Sequence, residues 1–540
     1  MSGKNLILCL SMTSIILSCN SKEKNFKSAI DSISENDLKT HIAILASDEF
    51  QGRAPSTIGE ERTIRYLEEQ FTKIGLQPGN GDSFFQEIPL VKISADKQMK
   101  FIIKSNKREY NLIFSEEFAG GTPQLSSEVS FDNSEVIFVG YGINAPEYNW
   151  NDYQGLDVKG KTVLMLVNDP GYATSDSTLF EGRTMTYYGR WTYKFEEAAR
   201  QGAKAAIIIH ETGAAAYPWG VVQGSWTGAK FYLADDMLSK SELYLQSWVN
   251  TECAKRLFEG SGLDYDSTVS SASVRGFKPV KMNMSASVKI ENKVEYIKSN
   301  NVAALWPGKK ISNEYLIYTA HWDHLGINPM FGEDSILNGA LDNATGTAAL
   351  LEIAQAFTTL AKREDISILF LAVTCEEQGL LGSEFYAQNP IYPLDKTVGV
   401  INMDGLNIFG RTKDMTIIGM GRSTLDGYAQ SVLKKYGRYI CPDPTPEKGG
   451  YFRSDHFSFA KVGVPTLYLS KGIDNLIEGK EWGLARSEKW IKENYHKPSD
   501  SYDPEIWDTK GMVEDVRVYF EIGYVIASPK DFTSGPVPTE

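Results

Sequence analysis

Three stretches of the chain are apolar almost without interruption, and each runs straight into charged or imidazole side chains. Residues 315–320 lead into His321, residues 366–374 into Cys375, Glu376 and Glu377, and residues 398–403 into Asp404. Short apolar runs without polar alternation predict strands covered on both faces. Residues 346–360 carry a wide apolar face at helical spacing, and 466–469 predicts another strand. Strands alternating with helices predict an α/β fold with a mixed, largely parallel sheet sandwiched by helices.

Upstream, Ile64, Leu67, Phe71 and Ile74 recur at helical spacing until Gly75 stops the run, and Gln51-Gly52-Arg53-Ala54-Pro55 predicts a turn before it. Residues 136–142 and 161–167 predict strands, 193–201 a helix stopped at Gly202, and 205–209 a buried strand. These give 126–285 a core of its own, inserted between an N-terminal part of the main domain (36–125) and its remainder (286–530). Residues 20–35 are polar and predict a flexible tether. The first 19 residues combine Lys4, an apolar run at 6–17 and Cys19. The run is too short to span a bilayer. It resembles a bacterial lipoprotein signal with Cys19 as the lipidated residue. That implies an exported chain, facing the periplasm or at the cell surface, held to the membrane by a lipid anchor. The plainer alternative is an ordinary signal peptide with a chance cysteine.

A length of 540 residues predicts more than one domain. The formal charge of −14 argues against a nucleic-acid partner. Beyond Cys9 and Cys19, the cysteines are Cys253, Cys375 and Cys441, with no CxxC pair. That argues against a thiolate zinc site and a disulfide framework, and leaves one bridge open.

The strand ends carry the chemistry. In open α/β sheets the ligand crevice lies beyond the carboxyl ends of the strands. Carboxylates gathered there are costly unless cations neutralise them. Oxygen and imidazole donors without thiolates suit zinc, with manganese or cobalt next. Of 6 histidines, His321, His324, His456 and His496 fall in this part of the chain.

Five pieces follow in order: His321-Trp322-Asp323-His324-Leu325-Gly326, Gly339-Ala340-Leu341-Asp342-Asn343-Ala344-Thr345-Gly346, Glu376-Glu377-Gln378-Gly379, Asn402-Met403-Asp404 and Tyr495-His496-Lys497-Pro498-Ser499-Asp500. Together they resemble the secreted dizinc aminopeptidase family, and 130–285 resembles the β-rich protease-associated domain that many members carry. The resemblance implies peptide substrates and two Zn2+ per chain. It implies that Asp342 bridges the metals, that His321 and Asp404 complete one site, and that Glu377 and His496 complete the other. It makes Glu376 the general base, Asp323 the partner of the His321 ring, and Tyr495 the oxyanion donor. It implies that the inserted domain caps the site or selects substrates; the plain alternative is a spacer.

Other readings stay open on the same residues. A carboxypeptidase or dipeptidase would need a basic pocket residue, for which Arg453 is the candidate. A noncatalytic receptor-like protein would have lost ligands. A glutaminyl cyclase would hold one zinc and lack the insert. His324 and His456 read as structural or pocket-lining, Tyr451 and Phe452 as pocket or core, and His41 and His210 as ordinary core histidines.

Overall fold

The computed structural model describes residues 24–234, 243–309, 313–361, 363 and 365–528. The expected leader and Cys19 lie outside the described residues. The chain divides into two compact units. The first comprises 1–88, 298–444 and 454–540, and the second 89–297 and 445–453.

The main sheet of the first unit includes β1 (Gln77–Pro78), β2 (Val280–Trp306, shared with the second unit), β3 (Tyr315–His321), β4 (Ser367–Val373), β5 (Thr397–Asn402), β6 (Asp414–Ile417), β7 (Tyr439–Pro442) and β8 (Thr466–Ser470). Their spatial order is β1-β2-β4-β3-β5-β8-β6-β7. The β4-β3-β5-β8 centre is parallel, and antiparallel pairs flank it. The predicted mixed sheet is thus present.

Double coverage explains the apolar runs. Leu316, Tyr318 and Ala320 of β3 enter one hydrophobic cluster and Ile317 another; on β4, Ile368, Phe370 and Ala372 oppose Leu369, Leu371 and Val373. This two-residue alternation, apolar on both faces, places helices on each side. One face is covered by α1 (Glu35–Leu45), α2 (Ile58–Ile74) and α3 (Thr345–Thr359). The other takes Tyr386 of α4 (Leu381–Gln388) and Phe459 of α6 (His456–Lys461). Between these two in sequence, α5 (Asp426–Lys435) packs Ala429, Val432 and Leu433 into the first cluster, and beyond α7 (Gly479–Asn494) so does α8 (Lys510–Ala527). In that cluster Phe357 of α3 meets Phe520 of α8 edge-on at 4.9 Å. Helix α2 ends as its sequence predicts, with Gly75 at φ 89° in the left-handed cap.

The expected tether differs from the structure. Residues 24–32 are helical, and Ala29 and Ile33 are buried in the main cluster with Phe26 and Ile30 against it. Polar residues between these apolar positions hid a one-sided helix.

In the second unit, Glu128–Phe138, Thr162–Leu166, Ala205–His210 and Leu245–Asn250 pair in parallel, and Phe118–Gly121 adds an antiparallel edge. The helices Trp191–Arg200 and Thr251–Ser261 belong to this unit. It starts at Pro89 and ends at Ile297, wider than the span read from sequence, because the strands Lys100–Ser105 and Glu109–Leu112 pair within it. Cys253, Cys375 and Cys441 are all free thiols. Among the described residues no helix is long and apolar enough to cross a membrane.

Candidate metal centre

The parallel register levels the strand ends. His321 on β3 lies opposite Val373 on β4, and Thr319 lies opposite Asn402 on β5. The chain leaving each strand therefore delivers His321, Glu376-Glu377 and Asp404 to one edge. Asp342 arrives on the bend before α3. Asp500 holds that bend, accepting from Leu341 N at 2.8 Å and Asp342 N at 3.1 Å. His496 follows α7 at φ 57°.

His321, Asp342, Glu377, Asp404 and His496 converge. His321 Nε2 lies 3.3 Å from Asp342 Oδ1 and 3.5 Å from Asp404 Oδ1. His496 Nε2 lies 3.4 Å from Asp342 Oδ2 and 3.1 Å from Glu377 Oε2. Asp342 thus turns one oxygen toward each histidine. Yet His321 Nε2, His496 Nε2 and Glu377 Oε1 are buried without a hydrogen-bond partner. Buried polar atoms are normally paired, so donors this close with none in bonding geometry point at a common third body.

The electrostatics agree. Burial disfavours charge on His496, but Glu377 and Asp342 outweigh it and lift the imidazole to about 10. Burial likewise opposes charge on His321, and Glu376, Asp342 and Asp404 overcome it. Burial would raise Glu377, but His496 and His324 pull its carboxyl down to about 2. The acids thus force positive charge onto the imidazoles, a role a divalent cation fills without protons. Nitrogen and carboxylate donors with no thiolate fit zinc.

Glu376 is held differently. Burial, with Glu377, Asp404 and Asp455, keeps its carboxyl well above the usual range against the pull of His321. Its own N–H donates to Asp323 Oδ1 at 3.1 Å. This revises the role expected of Asp323. The His321 Nδ1 is 3.8 Å from that carboxylate and instead bonds the Asp323 main-chain carbonyl at 3.1 Å. The Asp323 side chain therefore orients the Glu376 turn more directly than the imidazole. Tyr495 stacks on the His496 ring at 3.8 Å.

Sequence reading missed several participants. Ser454 Oγ donates to Asp404 Oδ2 at 2.7 Å and accepts from Asn402 Nδ2 at 2.7 Å. Arg53, in the predicted turn, is 1% exposed. Its guanidinium donates to the carbonyls of Trp322, Leu45, Asn338 and Gly339 at 2.6–2.8 Å. It thereby ties the His321 loop to the approach to Asp342. His324 reaches Glu377, with Nδ1 2.5 Å from Oε1. By contrast His456 packs tilted against the Tyr468 ring, His41 bonds Tyr66 and His210 bonds the Tyr217 carbonyl. Arg453 belongs to the second unit, 5.3 Å over the Tyr217 ring and donating to Ala215 O. Phe452 is buried there, 5.9 Å from the Tyr187 ring.

Residues 301–520 match the profile of Peptidase family M28. Aminopeptidase NAALADL1 of Rattus norvegicus is 33% identical over 241 residues, covering 40% of this chain and 29% of that protein. A probable zinc metalloprotease of Pyricularia oryzae is 34% identical over 108 residues, 20% of this chain and 21% of that protein. The chain thus spans under a third of the length of these relatives. Among solved structures, an aminopeptidase from Aneurinibacillus sp. strain AM-1 shares the fold with a TM-score of 0.56 at 18% identity, covering 95% of this chain and 98% of that one.

Proposed function

We propose that the chain is a zinc-dependent aminopeptidase, a metallohydrolase with two zinc ions that removes N-terminal residues from peptides. The observation that carries this reading is Asp342, whose two oxygens face two separate histidine-carboxylate sets. His321 and Asp404 would hold one ion, Glu377 and His496 the other, and Asp342 both. Bound zinc supplies water acidified toward neutrality and polarisation of a carbonyl.

The chain's own groups do the rest. Glu376 takes the proton of the attacking water and passes it to the leaving amine. Its raised proton affinity in the buried pocket suits that return step. Ser454 and Asp500 fix the orientations of Asp404 and of the Asp342 bend. Tyr495, fixed by stacking on His496, donates to the developing oxyanion. The names of the relatives favour an amino-terminal specificity, and acidic side chains around the centre suit a substrate ammonium. The residues 89–297 are proposed as a protease-associated domain.

Hydrolysis of aminoacyl-arylamides, compared with N-blocked peptides bearing a free carboxyl terminus, tests the reading. Turnover of the first and not the second is expected. The reverse would make the chain a carboxypeptidase, and no turnover of either by zinc-loaded protein would overturn the proposal. Export and lipidation at Cys19 are proposed as well. Labelled palmitate should enter the wild-type chain and not Cys19→Ser, and equal labelling would exclude this anchor.

A further inference from the structure

His324 is not among the five residues proposed above to hold the ions, yet it carries the marks of a ligand. Its side chain is 0% exposed. Both ring nitrogens are buried without a hydrogen-bond partner. Nδ1 sits 2.5 Å from Glu377 Oε1, and that oxygen is itself unpaired. The two atoms are at bonding distance but do not meet in hydrogen-bond geometry. The same pattern marks His321 Nε2 and His496 Nε2 beside their carboxylates. Donor atoms of His324, Asp342 and Glu377 all lie within 4.8 Å of one another.

The ring's seat is built into the backbone. Gly339, at φ 57°, lies so close that a Cβ there would come within 2.5 Å of the His324 ring. The His324 and His496 rings stand edge to face at 5.8 Å. Two imidazoles therefore address the Glu377 and Asp342 carboxylates.

We propose that His324 is a further metal ligand, through Nδ1, on the Glu377 side of the centre. This rests on the metalloenzyme reading above. The two ions then differ in kind. The Glu377-side ion has four protein donors, Asp342, Glu377, His496 and His324, which is the closed set typical of a tightly held zinc. The other has three, His321, Asp342 and Asp404, and keeps an open position for water or substrate.

Zinc-loaded wild type, His324→Ala, His324→Asn and His496→Ala would be titrated with a chelator while zinc release is followed, and the cobalt-substituted forms would be compared by visible absorption. Wild type should release zinc in two steps at least about tenfold apart. His324→Ala and His496→Ala should both weaken the tighter step and change the cobalt spectrum. His324→Asn, which returns a donor near the Nδ1 position, should fall between wild type and Ala while keeping the wild-type melting temperature. Unchanged release and spectra in folded His324→Asn and His324→Ala would overturn the proposal and leave the dizinc reading standing. So would weakening of the looser step alone. Wild type that takes up no zinc would instead overturn the underlying reading, and this inference with it. If only His324→Ala fails to fold, the asparagine variant decides.

Discussion

Replacing Arg53 by methionine tests how the first unit positions its acids. Arg53 donates to four main-chain carbonyls and to no carboxylate. Burial depresses its pKa only to about 10, with Asp500, Asp323, Asp342 and Glu377 nearby holding the charge in place. Methionine fills much of the volume but supplies no donor, so four carbonyls lose their partner. Hydrogen bonds from a charged donor contribute about 1.5–3 kcal/mol each, but their losses are not additive once neighbours relax. Removing one partner of a buried charged network costs about 3–5 kcal/mol. We therefore expect about 4 kcal/mol. With an unfolding entropy of about 2 cal/mol/K per residue over roughly 320 residues, that lowers the melting temperature by roughly 6 °C. The Trp322 and Gly339 loops also come apart, so zinc should bind more weakly. Calorimetry with and without zinc, plus elemental analysis, measures both effects. A variant melting within about 1 °C of wild type with full zinc content would refute the clamp.

Glu376→Gln should retain zinc while kcat falls about 10²–10⁴-fold, since only proton transfer is lost; steady-state kinetics beside metal analysis separates the two. Ser454→Ala should weaken zinc binding about 10–100-fold by freeing Asp404, read by competition with a chromophoric chelator. Glu352 accepts from Ser34 N at 2.9 Å, and burial pushes its carboxyl up to about 7. Its folded pKa lies above the unfolded value, so its contribution is fully present below about pH 4 and is lost as pH rises through 7. Glu352→Gln removes that loss. Its stability relative to wild type should therefore rise by on the order of 3 kcal/mol between pH 4 and pH 8, and urea midpoints that track each other across this range would contradict the assignment.

What the sequence disclosed follows the reach of its patterns. The β3, β4 and β5 runs are legible because both faces are buried, and the ligands lie within a few residues of each strand end. His496 has no such local signature, and only the family resemblance singled it out. Arg53 escaped notice because its acceptors are carbonyls up to 286 positions away. Ser454 acts on Asp404 across 50 positions in the same way. His324 stood in plain view three residues after His321, but nothing in the spacing reveals that its ring turns toward Glu377. The helix at 24–32 was masked by polar residues on its open side. The early start of the second unit was masked by strands that alternate too weakly to separate from loop.

Elemental analysis of the purified chain beside aminoacyl-arylamide turnover, for wild type and Glu377→Ala, tests the central claim most directly. About two zinc per chain with turnover in wild type, and loss of turnover with at least one ion in the variant, is the expected result. Turnover that survives in metal-free wild type, or wild type that binds no zinc after reloading, would contradict the account.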